Sequence, residues 1–177
     1  MKKNFRLGFT VIEVTLVLSI AGLIFIMLFV ALPGLRASQR DAERRSDIAN
    51  FIEEVKNYQE NNRGALPGGS GSNSSIIVTN STGGSDNSWG GFYKNYLKSF
   101  NDPSGYPYRL EIVNCNASGG NCRSKNSLED ISFPNNYTIL VVRQAQCEGP
   151  IAKPTKNTRK IAVIYKLEGA GSYCSNS

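Results

Sequence analysis

The sequence contains no histidine. This absence excludes Ser-His-Asp triads, H-E-x-x-H metal sites and imidazole general bases together. The G-x-x-x-x-G-K-[ST] pattern of nucleotide-hydrolysing loops is also missing. The adjacent acidic pairs Glu53-Glu54 and Glu129-Asp130 have the character of solvated surface charges. We therefore expect no enzymatic activity, no cofactor and no metal site in this chain.

Cysteine is scarce, and every cysteine lies beyond residue 114 of the chain. The four residues are Cys115, Cys122, Cys147 and Cys174. A zinc site is disfavoured because there is neither a C-x-x-C pair nor a histidine. Four cysteines allow three disulfide pairings. We favour Cys115–Cys122, closing a Gly- and Asn-rich loop, and Cys147–Cys174, joining the ends of the last two strands, in an exported domain.

One long apolar run stands near the N-terminus, from Phe9 to Leu35, and its only ionisable side chain is Glu13. Residues 14–32 alone are about long enough to span the hydrocarbon core of a bilayer. A carboxylate in such a segment costs roughly 2.5–3.5 kcal/mol, so a charge partner is expected. Cleavage between Gly8 and Phe9 would create that partner, a positive α-amino group on Phe9.

The residues around this point resemble a known export signal. The string at 6–14, Arg-Leu-Gly-Phe-Thr-Val-Ile-Glu-Val, resembles the class III signal of type IV pilins and pseudopilins. The resemblance implies cleavage after Gly8 by prepilin peptidase and N-methylation of Phe9. It also implies that Glu13 pairs with the N-terminal amine of an adjacent subunit during filament assembly. An assembly ATPase and a membrane platform protein are the other partners that it implies.

Two alternatives to this signal are an ordinary secretory signal and a plain single-pass anchor. A secretory signal needs a small-residue cleavage site after its apolar core, and residues 29–37 offer no clean A-x-A. Neither alternative explains Gly8-Phe9 followed by Glu13. The positive-inside rule does not fix the orientation, because basic residues flank the run on both sides. The formal net charge of +6 is too mild to predict nucleic-acid binding by itself.

The apolar run has three weak points as a helix, Gly22, Pro33 and Gly34. Proline removes a backbone donor and clashes with the preceding turn. In the pilin family, a glycine and a proline bracket a segment that loses helicity in the filament. A membrane helix that simply ends or kinks at Pro33 fits the sequence equally well.

Residues 36–62 are dense in charge but have an apolar stripe at helical spacing. The stripe consists of Ala42, Ile48, Phe51, Ile52, Val55 and Tyr58. It predicts an amphipathic helix that continues the apolar one, with Arg44 among the charged residues away from the stripe. Arg63-Gly64 and Pro67 are expected to end this helix.

Residues 64–91 are rich in Gly, Ser and Asn, which predicts a loop with one short edge strand at 76–78. A short second helix should follow, because five large side chains recur there at helical spacing: Phe92, Tyr93, Tyr96, Leu97 and Phe100. Aromatic residues beside lysines can stack on nucleic-acid bases. We favour the structural alternative, in which this aromatic face packs against the sheet.

The segment at 102–108, Asp-Pro-Ser-Gly-Tyr-Pro-Tyr, resembles the Asp-Pro-Trp-Gly-x-Pro-Tyr turn of major pseudopilins and several Gram-positive pilins. Ser104 replaces the tryptophan of that pattern. Asp102, Pro103 and Gly105 are turn residues by their chemistry. The turn is expected to be structural and to deliver Tyr108 into a strand.

Three β-branched and aromatic runs, at 108–115, 137–143 and 160–167, predict strands. Together with the helices they predict an α+β fold, in which a long N-terminal helix packs on a C-terminal antiparallel β-sheet of about three to four strands. The first half of the helix would span the membrane and the second half would be amphipathic. The expected divisions are a leader at 1–8, a hydrophobic helix at 9–35 and a globular head at 36–177. Within the head, an amphipathic helix at 36–62, a loop region at 63–107 and a sheet region at 108–177 follow one another.

The functional expectation is a structural subunit of a type IV pilus-like surface filament, used for motility, adhesion or DNA uptake. It would begin as a single-pass precursor in the cytoplasmic membrane and end in an extracellular pilus. A pseudopilin of a type II secretion or competence system is one alternative. An exported binding domain on a simple anchor is another. DNA and a host surface are candidate ligands of the head, and the sequence does not choose between them.

Overall fold

The computed structural model describes residues 9–68, 76–115, 137–168 and 171–177. The chain divides into two compact units, Met1–Gln39 and Arg40–Ser177. Helix α1 extends over Val11–Asn61, so the first unit contains its apolar part. The second unit contains the rest of α1, a second helix and the strands, which is an α+β arrangement.

The charged half of α1 packs on the sheet through the predicted stripe. Its buried apolar side chains are Ile48, Phe51, Ile52, Val55 and Tyr58, and they join strand residues in one core cluster. Two details of the stripe were wrong. Ala42 is exposed, whereas Arg44 retains only 1% of its accessible surface. The helix face is therefore continued toward the N-terminus by a buried charge rather than by an alanine.

The end of α1 agrees with the predicted stop signal. Arg63 and Gly64 have positive φ angles of 57° and 80°, the left-handed conformation that commonly ends a helix. The N–H of Gly64 donates to the carbonyl of Gln59 at 2.6 Å. Glycine at this position avoids the steric penalty that a Cβ would bring.

The second unit contains a five-stranded sheet within the described residues. Its strands are β1 (Ile76–Val78), β2 (Arg109–Asn114), β3 (Thr138–Arg143), β6 (Ile161–Lys166) and β7 (Ser172–Asn176), and they lie in that order. The short edge strand and the three longer strands were predicted to within one residue at each end. β7 was not predicted, so the expectation of about three to four strands was too low.

The expectation of a purely antiparallel sheet was wrong at one pair. β2 and β3 are parallel, with Leu110 opposite Ile139 and Ile112 opposite Val141. The pairs β1–β2, β3–β6 and β6–β7 are antiparallel. Strand direction depends on where the chain returns to the sheet, and local side-chain alternation contains no information about that.

A two-stranded hairpin of β4 (Ala145–Glu148) and β5 (Ile151–Pro154) forms a second, separate sheet. Ala145 and Ala152 of this hairpin pack with Leu140, Val142 and Ile164 in a second core cluster. The opposite face of the sheet packs on α1. Because β3 is buried on both faces, its sequence is a continuous apolar run rather than an alternation.

Helix α2 extends over Trp89–Tyr96, so the short second helix was predicted correctly, but it ends before Leu97 and Phe100. Its aromatic face contacts α1, whereas the sequence predicted contact with the sheet. The ring centroid of Phe92 lies 6.0 Å from that of Phe51 and 5.6 Å from that of Tyr58, and both pairs have edge-to-face geometry. Ser88 caps the helix by accepting a hydrogen bond from the N–H of Gly91 at 3.2 Å. This packing favours the structural role of the aromatic residues over base stacking.

Candidate functional site

The N-terminal candidate site lies at the first turn of α1. Phe9 is 87% exposed, and Gly8, on the other side of the predicted cleavage point, is outside the described residues. Glu13 Oε2 accepts two hydrogen bonds of 2.9 Å, one from the N–H of Thr10 and one from its hydroxyl. The N–H of Glu13 in turn donates to Thr10 Oγ1 at 3.4 Å.

This arrangement is a capping box, in which a threonine and a glutamate three residues later satisfy each other's backbone donors. This capping box was not predicted, although the Thr-x-x-Glu spacing at 10–13 is a signal for it. Glu13 therefore has a partner within its own chain. The capping box satisfies hydrogen bonds, but among the described residues no positive side chain forms an ion pair with this carboxylate.

The apolar part of α1 offers a continuous hydrophobic surface. Every large apolar side chain between residues 9 and 35 is exposed in the chain by itself. An 18-residue window of α1 has a mean hydropathy of 2.8, and none of that window is buried. The helix is thus long and apolar enough to cross a membrane, a property that signal sequences near an N-terminus share.

The predicted break points do not interrupt α1 in the isolated chain. Gly22, Pro33 and Gly34 all have helical backbone. Pro33 cannot donate to the carbonyl four residues earlier, so it weakens the helix locally without ending it. Loss of helicity between Gly22 and Pro33 in a filament stays a prediction.

The 102–108 turn is formed as the sequence predicted. The N–H of Asp102 donates to the carbonyl of Tyr106 at 2.8 Å, and the N–H of Gly105 donates to that of Asp102 at 2.7 Å. Gly105 has a φ of 87°, which explains the glycine. Pro103 occupies the turn, and Tyr108 enters the core, where its hydroxyl donates to Asp47 Oδ2 at 2.8 Å.

Asp102 has a second role that the sequence did not reveal, because it forms a buried ion pair with Arg44 of α1. Arg44 Nε lies 2.6 Å from Asp102 Oδ2, and Nη2 lies 3.2 Å from Oδ1. The N–H of Ser104 also donates to Asp102 Oδ1 at 2.9 Å. The turn is therefore attached to the helix by a bidentate, charge-assisted hydrogen-bond pair, which is stronger than hydrogen bonds between neutral groups.

The pair extends into a network of charges at the same end of the second unit. Arg44 Nη1 contacts Glu168 Oε1 at 2.7 Å and Asp41 Oδ1 at 3.3 Å. Arg40 contacts Glu168 Oε2 at 2.6 Å. The guanidinium of Arg44 also lies over the ring of Tyr165, 5.5 Å from its centroid. One buried cation thus joins the helix, the turn and the region after β6.

Contacts within this network, and burial, shift the pKa values of nearby carboxylates. Burial works to raise the pKa of Asp102, but hydrogen bonds from Arg44 and Ser104 outweigh it and leave the pKa below its ordinary value. Hydrogen bonds from Arg40 hold the pKa of Glu168 below its ordinary value, with Arg44 contributing further. Asp47 differs, since burial raises its pKa. The carboxylates of Asp102 and Glu168 therefore stay charged at neutral pH.

The cysteines agree with the favoured pairing where the structure describes both partners. Cys147 and Cys174 form a disulfide with a Cα–Cα distance of 5.8 Å. Cys147 lies in β4 and Cys174 in β7, so the bond joins the hairpin to the edge strand rather than the last two strands. The predicted Cys115–Cys122 bond lies outside the described residues, because Cys122 does.

Neither a metal site nor a similar known protein gives further information about the function. Within the described residues, no three Cys, Asp or Glu side chains are grouped so that they could hold a metal ion. No protein-family model matches the sequence, and no curated protein or solved structure matches it either.

Proposed function

We propose that this chain is the precursor of a type IV pilin-like filament subunit. In this proposal, prepilin peptidase cuts between Gly8 and Phe9 and methylates the new N-terminus. An assembly ATPase and a membrane platform protein then move subunits from the cytoplasmic membrane into a surface filament. The observation that supports the proposal is Glu13, the single ionisable side chain between Phe9 and Leu35.

The physical argument concerns the charge of Glu13. Its hydrogen-bonding capacity is partly satisfied by Thr10, but an isolated charge in an apolar environment is unfavourable unless an opposite charge lies nearby. The amine of Phe9 from an incoming subunit would supply that charge. Pairing of this kind would set the register between subunits as well as stabilise their contact.

The exposed apolar surface of α1 supports the same proposal. Its large apolar side chains from residue 9 to 35 are exposed in the described part of the chain. In a membrane they would contact lipid, and in a filament they would contact the same helix of other subunits. Assembly would then exchange one apolar environment for another, and the charge pair at Glu13 would select the correct arrangement.

The test separates charge pairing from helix capping. Glu13→Gln keeps a capping-box side chain, since glutamine also serves there, but removes the charge. Glu13→Val removes both. If charge pairing drives assembly, both variants should lower the filament yield of expressing cells at least tenfold. Glu43→Gln, at an exposed position of α1, is the matched control and should assemble normally.

Two outcomes would contradict the proposal. A normal filament yield from Glu13→Gln would leave only a capping role for Glu13. Mass spectrometry of the mature protein should find methylated Phe9 at the N-terminus. A native protein that still begins at Met1 would remove the amine that the mechanism requires.

The second candidate function is that of a pseudopilin in a secretion or competence system. The sequence of the turn around Asp102 and Gly105 resembles that of major pseudopilins, but several Gram-positive pilins share the pattern, so the turn is compatible with both functions. Electron microscopy of expressing cells distinguishes the two. Long external fibres support the pilus, and their absence despite a methylated Phe9 supports the pseudopilus.

A further inference from the structure

A pocket of about 350 Å³ lies in the second unit, beside the C-terminal end of α1. Three arginines line it, and none of the lining residues is acidic. The lining consists of Arg63, Gly64, Ala65, Leu66, Arg143, Thr158 and Arg159. This excess of positive charge differs from the balanced network around Arg44.

The three arginines come from three separate parts of the chain and are held by backbone contacts. Arg63 follows α1, Arg143 ends β3, and Arg159 precedes β6. Gln59 Nε2 donates to the carbonyl of Arg159 at 2.8 Å. A Cβ on Gly64 would lie 3.0 Å from Cζ of Arg159, so the Arg159 guanidinium lies directly against this glycine.

The guanidinium of Arg143 is incompletely satisfied. The residue is half-buried, and its Nε has no hydrogen-bond partner among the described residues. Burial also lowers its pKa. The ion pairs of the described residues involve Arg40, Arg44 and Lys153 but none of the three pocket arginines. A buried donor without a partner is unfavourable unless a ligand satisfies it.

Capping of α1 does not account for these arginines. Basic side chains near a helix C-terminus often donate to its last carbonyls. Here the carbonyl of Tyr58 already accepts from Asn62 Nδ2 at 2.8 Å, and that of Gln59 accepts from the N–H of Gly64 at 2.6 Å. Among the described residues, none of the three arginine side chains donates a hydrogen bond to a helix carbonyl, so the guanidinium groups are available for a ligand.

We propose that this pocket binds a small, soluble anion through a terminal phosphoryl group. Arginine forks match phosphate oxygens in geometry and charge. The volume lies at the lower end of the range of small-molecule sites. Ala65 and Leu66 provide an apolar wall for a short carbon skeleton. The inference does not depend on the proposed filament function.

The test is calorimetric titration of the full-length protein in a neutral detergent with inorganic pyrophosphate, glycerol 3-phosphate and a glycerophosphodiester. We expect saturable one-to-one binding of the first two ligands and at least tenfold weaker binding of the singly charged diester. Arg143→Gln and Arg63→Gln should each weaken pyrophosphate binding about tenfold. Lys94→Gln removes the same charge from an exposed position of α2 and should leave binding unchanged.

Thermal unfolding of each variant shows whether it is folded. Arg63 is exposed, so Arg63→Gln decides the matter if Arg143→Gln fails to fold. Lack of saturable binding by the folded wild-type protein would overturn the proposal. An equal loss in Lys94→Gln would also overturn it, because the effect would then be general electrostatic attraction. Equal affinity for the diester would overturn the assignment of a terminal phosphoryl group.

Discussion

Arg44 shows how a single residue can depend on contacts that lie far away in the sequence. Its main partner, Asp102, is 58 positions away, and both side chains are almost completely buried. Helical periodicity correctly predicted the apolar positions from Ile48 to Tyr58, because their spacing is local. It could not predict that a charged residue on the same face would be buried, since that requires knowing which carboxylate meets it.

Replacement of Arg44 by methionine should strongly destabilise the second unit. Asp102 would remain buried without its counterion, which typically costs about 3–5 kcal/mol. Arg45→Met is the neighbouring control, since Arg45 is exposed and contacts the ring of Tyr173 at 5.5 Å, worth at most about 1 kcal/mol at such a site. Urea unfolding followed by circular dichroism measures both. Equal losses in the two variants would contradict the importance of the buried pair.

The same residues predict a dependence of stability on pH. The pKa values of Asp102 and Glu168 are lower in the folded chain than their ordinary values of 3.8 and 4.5. Their stabilisation is therefore fully present above pH 4.5 and is lost as the pH falls through the folded pKa values. Asp47, with a raised pKa, acts in the opposite direction.

We expect the unfolding free energy to fall between pH 5 and pH 2, and to fall less steeply in Arg44→Met. The measurement is urea unfolding at a series of pH values. An identical slope in wild type and variant would show that the acid sensitivity arises elsewhere.

Secondary structure elements with a clear pattern in their own sequence were predicted best. β2, β3 and β6 are β-branched runs and were predicted closely. β4 and β5, with the sequences Ala-Gln-Cys-Glu and Ile-Ala-Lys-Pro, lack that enrichment and were missed. The parallel direction of β2 and β3 was also missed, because it depends on the return path of the chain. At the candidate site, the roles of Phe9 and Glu13 were predicted from a local resemblance and stay predictions, whereas the pocket arginines are assembled from distant segments.

Helix α2 contains two glycines, Gly90 and Gly91, although glycine has a low helix propensity. A Cβ on Gly91 would lie 2.2 Å from the carbonyl oxygen of Ser85, and one on Gly90 would lie 2.7 Å from that of Gly83. Alanine would usually be the better helix former. Close approach of the preceding loop, rather than flexibility, therefore accounts for the glycines.

Gly91→Ala should accordingly destabilise the protein by about 1–3 kcal/mol, the usual cost of overpacking. Gly83→Ala is the matched control, because a Cβ there would meet nothing within 4 Å. That control should be neutral or slightly stabilising. Thermal unfolding of both variants checks this, and a stable Gly91→Ala protein would show that the loop can move away at little cost.

At the scale of the whole molecule, every residue that is buried in the described part of the chain belongs to the second unit, starting at Asp41. We therefore expect a fragment of residues 40–177 to fold by itself and to unfold cooperatively. A fragment of residues 48–177 lacks Arg44 and Asp47 and should be markedly less stable, although it keeps the apolar stripe from Ile48 onward.

Circular dichroism and thermal unfolding of the two fragments test this expectation. An unfolded 40–177 fragment would show that the second unit needs the first. Equal stability of the fragments would show that the charge network adds nothing to the apolar core.

The parallel course of β2 and β3 also affects how the protein can be labelled. Each strand is held in register from its other side, β2 by β1 and β3 by β6. Parallel neighbours need a connection of a dozen or more residues, and doubling such a connection adds only about 0.6 kcal/mol of closure entropy. An epitope inserted into the connection between β2 and β3 should therefore leave the strand pairing intact.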